Sequence, residues 1–382
     1  MADVKKILVV GGGVGGLSAT KALRDKGIDI DVVERNPKWD VYGVGIIQPG
    51  NAVRALDVLG LADEAVNQGW RLEHSRLFAA DGTLLGQPPF AKVADERFPP
   101  GNGITRPRLH KILQAAALDT GADVRTGVTF VSIDDQGDSV EVRFTDGETR
   151  SYDLVIGADG IHSSVRKAVF GDVGTPGYSG QVVWRYNMPR PDGMDGIWQF
   201  YGPHGAALMV PLAKDLMYMG IIEAVPEDQI IQPDDAEKQA RLDELMLEAF
   251  APYREAEFVR SLEQYVTDPK AVNYRPAEYV VVPAPWHRGR VLLIGDAAHA
   301  TTPHCGQGAA QAIEDAIVIA DELGKDQPLN AALEAHMERR FERCKAIVDG
   351  SLQIGRWQIQ PEPEMDQIGV LLGVMATAEA PL

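Results

Sequence analysis

Apolar residues in this chain come in short blocks whose spacing changes along its length. The first block, KILVV (6–10), is continuous, as in a strand buried on both faces of a parallel sheet. The glycine run GGGVGG (11–16) follows, and then Leu17, Thr20, Leu23 and Arg24 recur at helical spacing until Gly27. IDVVE (30–34) is a second strand. The pattern predicts a strand, glycine loop, helix and strand within about 30 residues.

Two later blocks, DLVIGADG (153–160) and RVLLIGDA (290–297), are also continuous and end at an Asp-Gly or Gly-Asp corner. Between them the character changes. GQVVWRYNMP (180–189), GIWQFYGP (196–203), AALMVPL (206–212) and LMYMGIIEA (216–224) are short aromatic- and Met-rich runs between Gly/Pro turns, which predicts an antiparallel sheet. Residues 234–253 read as a helical insert ended by Pro252, and residues 307 to about 350 as helix. QPEPEMD (360–366) is a polar, Pro-broken connection before an apolar C-terminal helix. The expected organisation is interleaved. Residues 1–73, 103–173 and 277–350 build a nucleotide-type α/β domain, residues 74–102 and 174–276 a second domain, and residues 351–382 a C-terminal helical segment.

A chain of 382 residues suits two such domains. The net charge of −18, spread along the chain, disfavours nucleic acid and anionic membrane, both of which call for clustered Lys and Arg. Cys305 and Cys344 are the only cysteines, too few for a disulfide framework or a cysteine-rich zinc site, so no metal and a reducing, cytoplasmic setting are expected. The N-terminal apolar run breaks at Gly11, short of a signal-peptide core, and no stretch approaches a membrane span.

The glycine run contains Gly11-x-Gly13-x-x-Gly16, with Gly15 inside it. Such glycines allow a tight turn, close approach of backbone to a pyrophosphate, and close helix–strand contact. The helix start adds free N–H groups and a favourable dipole for an anion. Glu34 ends the next strand about 20 residues on, where a carboxylate binds an unphosphorylated ribose. NAD and FAD both satisfy this loop. A glycine turn without a ligand is the bland alternative.

Two further segments separate them. DLVIGADGIHSSVR (153–166) and GDAAHATTPHCGQG (295–308), taken with the fingerprint, resemble the three signatures of the FAD-dependent aromatic hydroxylases, the single-component monooxygenases that include para-hydroxybenzoate and salicylate hydroxylases. The resemblance runs from about residue 5 to 350. It implies an FAD-binding Rossmann-like domain of the glutathione-reductase type, interleaved with a smaller antiparallel β-sheet substrate domain and followed by a C-terminal helical segment. It also implies FAD as cofactor, with NADH or NADPH as a transient co-substrate, since no second GxGxxG unit is present. The implied reaction is hydroxylation of a small electron-rich aromatic or heteroaromatic by O2 through a C4a-hydroperoxyflavin. A flavin-dependent reductase, oxidase or Baeyer–Villiger-type enzyme acting on a non-phenolic substrate is the alternative. A homodimer is compatible with either.

Carried over by residue, the resemblance assigns Glu34 and Arg35 to the adenosine end of FAD and Arg106 to a place against the cofactor. Asp159 goes to contact with FAD and pyridine nucleotide, and Gly295-Asp296 to the ribityl chain. GVGIIQPGN (43–51), with Gly45, resembles the loop flanking the flavin, and Ile47 falls near where some pyridine-hydroxylating relatives carry a histidine base. Asx turns are the plain alternative for Asp159 and Asp296. Gly306, Gly308 and Ala309 are small, as expected where a helix N-terminus meets the negative N1–C2=O edge of a reduced flavin. Glu314 and Asp315, one turn further on, are expected to be solvated or helix-pairing.

For catalysis the resemblance singles out Pro303 and His304, in the segment passing the reactive edge of the flavin. An imidazole at 304 can accept a phenolic proton at neutral pH, and a loop imidazole bonded to backbone is the alternative. His299 is expected to bond loop backbone. Arg185 in VVWRYN, Gln199, Tyr201, Met209 and Tyr218 lie on strands of the second domain and are the expected substrate contacts. Strand alternation puts Gln199 and Tyr201 on one face.

Overall fold

The computed structural model describes residues 4–202 and 205–382. The strand Lys6–Val10 lies inside a six-stranded sheet, parallel to Asp29–Glu34 on one side and Leu154–Gly157 on the other. Asp123–Thr126 and Val291–Leu293 extend the sheet in parallel, and His287–Arg288 closes one edge in the antiparallel sense. Ile7, Leu8 and Val9 are fully buried, so a strand covered on both faces explains the unbroken apolar run. The fingerprint helix Val14–Asp25 packs against the helices Arg106–Asp119 and Gly308–Leu323.

A second sheet has seven strands in the order Asn273–Tyr279, Gly177–Pro189, Leu216–Ala224, Gly205–Pro211, Ile197–Gly202, Ser75–Ala79 and Leu84–Gly86. All neighbours are antiparallel except Ile197–Gly202 with Ser75–Ala79. Its outer face is a methionine- and aromatic-rich core of Met188, Met217, Met219 and Phe200, closed by residues of the helices Leu242–Ala249 and Glu257–Leu262. Met209 is fully buried in that core. The expectation that it contacts substrate is therefore corrected: its strand parity turns it away from the inner face.

The helical regions are more broken than the apolar spacing suggests. Residues 307–350 form two helices, Gly308–Leu323 and Leu329–Ile359, the second preceded by Pro328 in extended conformation. A proline at that cap cannot continue the preceding helix. The insert at 234–253 splits into Ala236–Gln239, Leu242–Ala249 and a turn at Ala251–Tyr253, because Arg241 leaves the helical region at φ −126°. The C-terminal helix Gln367–Glu379 docks on the long helix Leu329–Ile359. Arg54 donates to the carbonyls of Glu379 and Ala380, and Arg343 to those of Ala380 and Pro381. Among the described residues no helix is long and apolar enough to cross a membrane.

Candidate active site

The inner face of the seven-stranded sheet and the C-terminal ends of the parallel strands enclose a cleft of about 460 Å³. On the nucleotide side the fingerprint glycines divide by role. Gly11 has φ +112°, and a Cβ there would lie 2.4 Å from the Ala158 carbonyl oxygen. A Cβ on Gly16 would lie 1.9 Å from the Gly11 oxygen. Both glycines are steric necessities of the turn. Gly13 has nothing within 4 Å of that position and lines the cleft, as does Gly15, where a Cβ would lie 3.4 Å from the Ala312 methyl.

Glu34 accepts the Gly12 N–H at 2.8 Å and the Asn36 N–H at 2.7 Å. Each oxygen keeps a lone pair free for a ribose hydroxyl. Neither Glu34 nor Arg35 lines the cleft itself. The Gly12 carbonyl in turn is bonded by Trp39 Nε1 at 2.9 Å and His110 Nε2 at 2.8 Å.

Asp159 turns into its own loop. One oxygen accepts the Ser163 hydroxyl, and the other accepts the Ser164 and Val165 N–H groups at 2.7 and 3.1 Å. Its neighbours Ala158 and Gly160 line the cleft, and Asp159 itself does not. Arg166, buried, joins this loop to the later one by donating to the carbonyls of Ile161 at 2.6 Å and Ala297 at 2.8 Å.

The later loop brings Gly295, Asp296, Pro303, Gly306, Gly308 and Ala309 to the cleft, together with Gln307. Gly295 and Gly306 have φ of +57° and +63°, conformations that favour glycine. Asp296 is exposed and lines the cleft. Desolvation raises its pKa, against the pull of His299 and Arg106. Arg106 opens its helix after the capping Thr105 and lines the cleft beside Gly45, Ile46 and Ile47. Gly45 makes room for the roof, since a Cβ there would lie 2.2 Å from the Tyr218 ring.

The roof is read from strand register, because residues directly opposite share a sheet face. Arg185 faces Gly220 and Asn273, Gly220 faces Leu208, and Leu208 faces Gln199. One row along, Val183, Ile222, Ala206 and Tyr201 share the same face. Arg185, Tyr218, Leu208, Val183 and Ile222 line the cleft. Gln199 and Tyr201 lie on this face beyond the cleft wall, where the Tyr201 hydroxyl donates to Gln199 Oε1 at 2.9 Å. Burial pushes the Arg185 pKa down to about 10, with the nearby Arg106 adding to the effect. Burial raises that of Tyr218, while Arg185 and Arg106 pull it down.

The histidines depart from expectation. The His304 ring lies against Gly355 of the long helix, where a Cβ would come within 2.9 Å of Cε1, and its Nδ1 meets the Thr302 hydroxyl at 3.0 Å. It does not line the cleft. Desolvation pulls its pKa down to about 4. A base role at the reacting edge is therefore not supported by its placement, although Pro303 beside it does reach the cleft. His299 bonds a side chain, not loop backbone: Nε2 meets Asp315 at 2.6 Å. Glu314 and Asp315 are fully buried and each pairs with Arg340 of the long helix at 2.8 Å, so of the expected solvated or helix-pairing acids it is solvation that fails. Their place among Ala312, Ile313, Ala316 and Ile317 was the available signal that these acids point inward.

Comparison with known proteins places the chain in a family. A family model described as an FAD binding domain matches residues 4–351. Aurachin C monooxygenase/isomerase of Stigmatella aurantiaca is 32% identical over 358 residues, covering 92% of this chain and 90% of that protein. The FAD-dependent urate hydroxylase of Mycolicibacterium vanbaalenii is 31% identical over 357 residues, covering 90% and 86%. HpxO of Klebsiella pneumoniae, solved with FAD and uric acid, superposes with a TM-score of 0.86 at 26% identity, covering 99% of this chain and 97% of that one.

Proposed function

From the premise that this chain belongs to the family of FAD-dependent aromatic hydroxylases, we infer that it is a monooxygenase using FAD, NAD(P)H and O2 to hydroxylate a small aromatic or heteroaromatic substrate. The observation that carries this reading is convergence. Gly13, Asp296, the start of the helix Gly308–Leu323, Arg106 and Arg185 all meet in one cleft, of a size usual for ligand sites. The alternative of a reductase or oxidase acting on a non-phenolic compound is not favoured, since the relatives are named as monooxygenases and hydroxylases.

The residues present fit FAD. The space at Gly13 receives a pyrophosphate, with the helix start behind it supplying N–H groups and dipole. Glu34 and Arg35 hold the adenosine end, Asp296 the ribityl chain, and Gly306, Gly308 and Ala309 the pyrimidine edge, where small residues leave the helix end bare. When bound, FAD supplies hydride uptake from NAD(P)H and activation of O2 for transfer of one oxygen atom.

The chain does the rest. Ile47, Val183, Leu208 and Ile222 form an apolar wall that excludes water and strengthens the electrostatics inside. Among the described residues no carboxylate forms an ion pair with Arg185. Together with Tyr218 it is suited to hold an anionic oxygen of the substrate, a carboxylate or an ionised ring hydroxyl. Substrate ionisation in this reading is driven by the guanidinium. Gln199 and Tyr201 lie one strand further out, where they read the distal end of a larger substrate. We place the enzyme in the cytoplasm.

Purified protein tests the reading directly. Bound FAD, and NADH or NADPH oxidation stimulated by a member of a panel of phenols, hydroxyacids and heteroaromatics with hydroxylated product, is the expected result. Protein that neither carries nor reconstitutes with flavin refutes it. Stimulated oxidation yielding only peroxide removes the hydroxylase claim while leaving the flavoprotein.

A further inference from the structure

Behind the cleft wall lies a buried charged node that none of the steps above uses. Asp315, in the second turn of the helix Gly308–Leu323, accepts the Gly295 N–H at 2.8 Å and meets His299 Nε2 at 2.6 Å through one carboxylate oxygen. Its other oxygen accepts Arg340 Nε at 2.8 Å. Arg340, from the long helix, also donates to Glu314 at 2.8 Å and to the Gln311 side chain at 2.5 Å. Gln311 donates to Gln307 at 3.1 Å, and Glu314 accepts from Asn51 at 3.0 Å. Asn51 and Gln307 exchange side-chain hydrogen bonds at 3.0 and 3.1 Å. Asp315, Glu314, Arg340 and Gln307 are all fully buried in the protein.

Both arms of this node end at the cleft. One ends at Gly295, next to Asp296, and the other at Gln307, which precedes the helix start. These cleft segments are built on glycines at 295, 306 and 308, which leave room for a ligand but have no side chains to fix their place. Rigidity has to come from behind. Buried ion pairs are a poor way to gain stability, since well-packed apolar residues do as well or better, whereas a supporting shell that locks contact groups is what a preorganised site requires.

We propose that Asp315, clamped by Arg340 and His299, is a positioning residue for the cofactor, fixing the Gly295 amide and with it the place of Asp296 and the start of the helix Gly308–Leu323. This rests on the FAD reading above. The node's ionisation is consistent with the role. Burial opposes the Asp315 carboxylate, but His299 and Arg340 outweigh it and hold the group well below the usual carboxylate range. Burial likewise opposes the His299 imidazolium, and Asp315 with Cys344 raises its pKa well above the ordinary value.

The experiment titrates apo-protein with FAD by flavin fluorescence, and measures the flavin midpoint potential of each holoenzyme and the thermal midpoint of each apo-protein. Asp315→Asn keeps the shape but removes the charge, and it is expected to weaken FAD binding about tenfold, the cost of one poorly satisfied buried group, and to shift the midpoint potential. Arg340→Lys should recover part of what Arg340→Met loses. If Asp315→Asn does not fold, Gln311→Met, which cuts the second arm, is expected to weaken FAD in the same direction. Wild-type affinity and potential in the folded variants overturn the proposal. So does affinity that falls only in step with apo stability, with Arg340→Lys no better than Arg340→Met. Failure of the wild-type chain to bind FAD overturns the FAD reading itself, an outcome distinct from wild-type binding with indifferent variants.

Discussion

Arg185 and His304 show how far residue type alone reaches. Both are plausible chemistry in the sequence, and only their surroundings separate them. Arg185 faces the cleft with Gly220 opposite it and no carboxylate partner among the described residues. His304 is turned under the long helix at Gly355. Replacing Arg185 with Gln should therefore raise the KM for an anionic substrate roughly ten- to a hundredfold, the worth of a hydrogen bond between charged groups. Lys at 185 should recover only part of it, since an ammonium does not reproduce the planar fork. Steady-state kinetics with a substrate and its uncharged analogue checks this: equal losses for both would remove the anion assignment. His304→Ala should leave the shape of the pH–rate profile as it is, and a lost ionisation would restore the histidine as a base. The resemblance located the segment around 304. Which way the imidazole points depends on a glycine some 50 residues away, and no local pattern carries that.

At the scale of the element, the fingerprint loop was legible because its constraints are local. A strand, a left-handed glycine and a helix start follow one another in sequence, and the structure adds only the reason each glycine is needed. Those reasons differ enough to be separated by experiment. Gly16→Ala would drive a Cβ into the Gly11 carbonyl at 1.9 Å, so the apo-protein should lose several kcal/mol, on the order of a severe backbone clash, and unfold at markedly lower temperature. Gly13→Ala meets nothing within 4 Å, so apo stability should change by less than about 1 kcal/mol while FAD affinity drops. Thermal melts of the two apo-proteins beside FAD titrations give the comparison, and a destabilised Gly13→Ala apo-protein with unchanged affinity would contradict the division of roles. The roof strands were less legible. Alternation within Ile197–Gly202 correctly pairs Gln199 with Tyr201 on one face. Relating that face to Met209 on the next strand requires the inter-strand register, which turn residues between two apolar runs leave open.

Across the whole molecule, the node of His299, Asp315 and Arg340 joins the loop after the strand Val291–Leu293 to two long helices. It escaped the sequence because its members lie up to 41 positions apart, and an acid in a helix looks solvated until its neighbours are known. Such a node should leave a signature in the pH dependence of folding. His299 has its pKa raised well above 6.5, with burial opposing and Asp315 and Cys344 favouring the charge. The groups around it are Asp315, Cys344, Asp296 and the uncharged indole of Trp286, with His336 coupled to it from the long helix. A raised folded-state pKa means that the stabilisation is complete below the unfolded value of 6.5 and drains away as pH rises toward the folded value. Asp315 has the opposite sign: its contribution is complete above 3.8 and is lost as pH falls below it. The two together favour the folded state most between those limits. His299→Gln should therefore cost more stability at about pH 6 than at about pH 9, and the gap between wild-type and variant thermal midpoints should narrow as pH rises. A gap that is constant across that range, or one that widens as pH rises, would mean that folding does not raise the His299 pKa, and the charged pairing of His299 with Asp315 would be refuted.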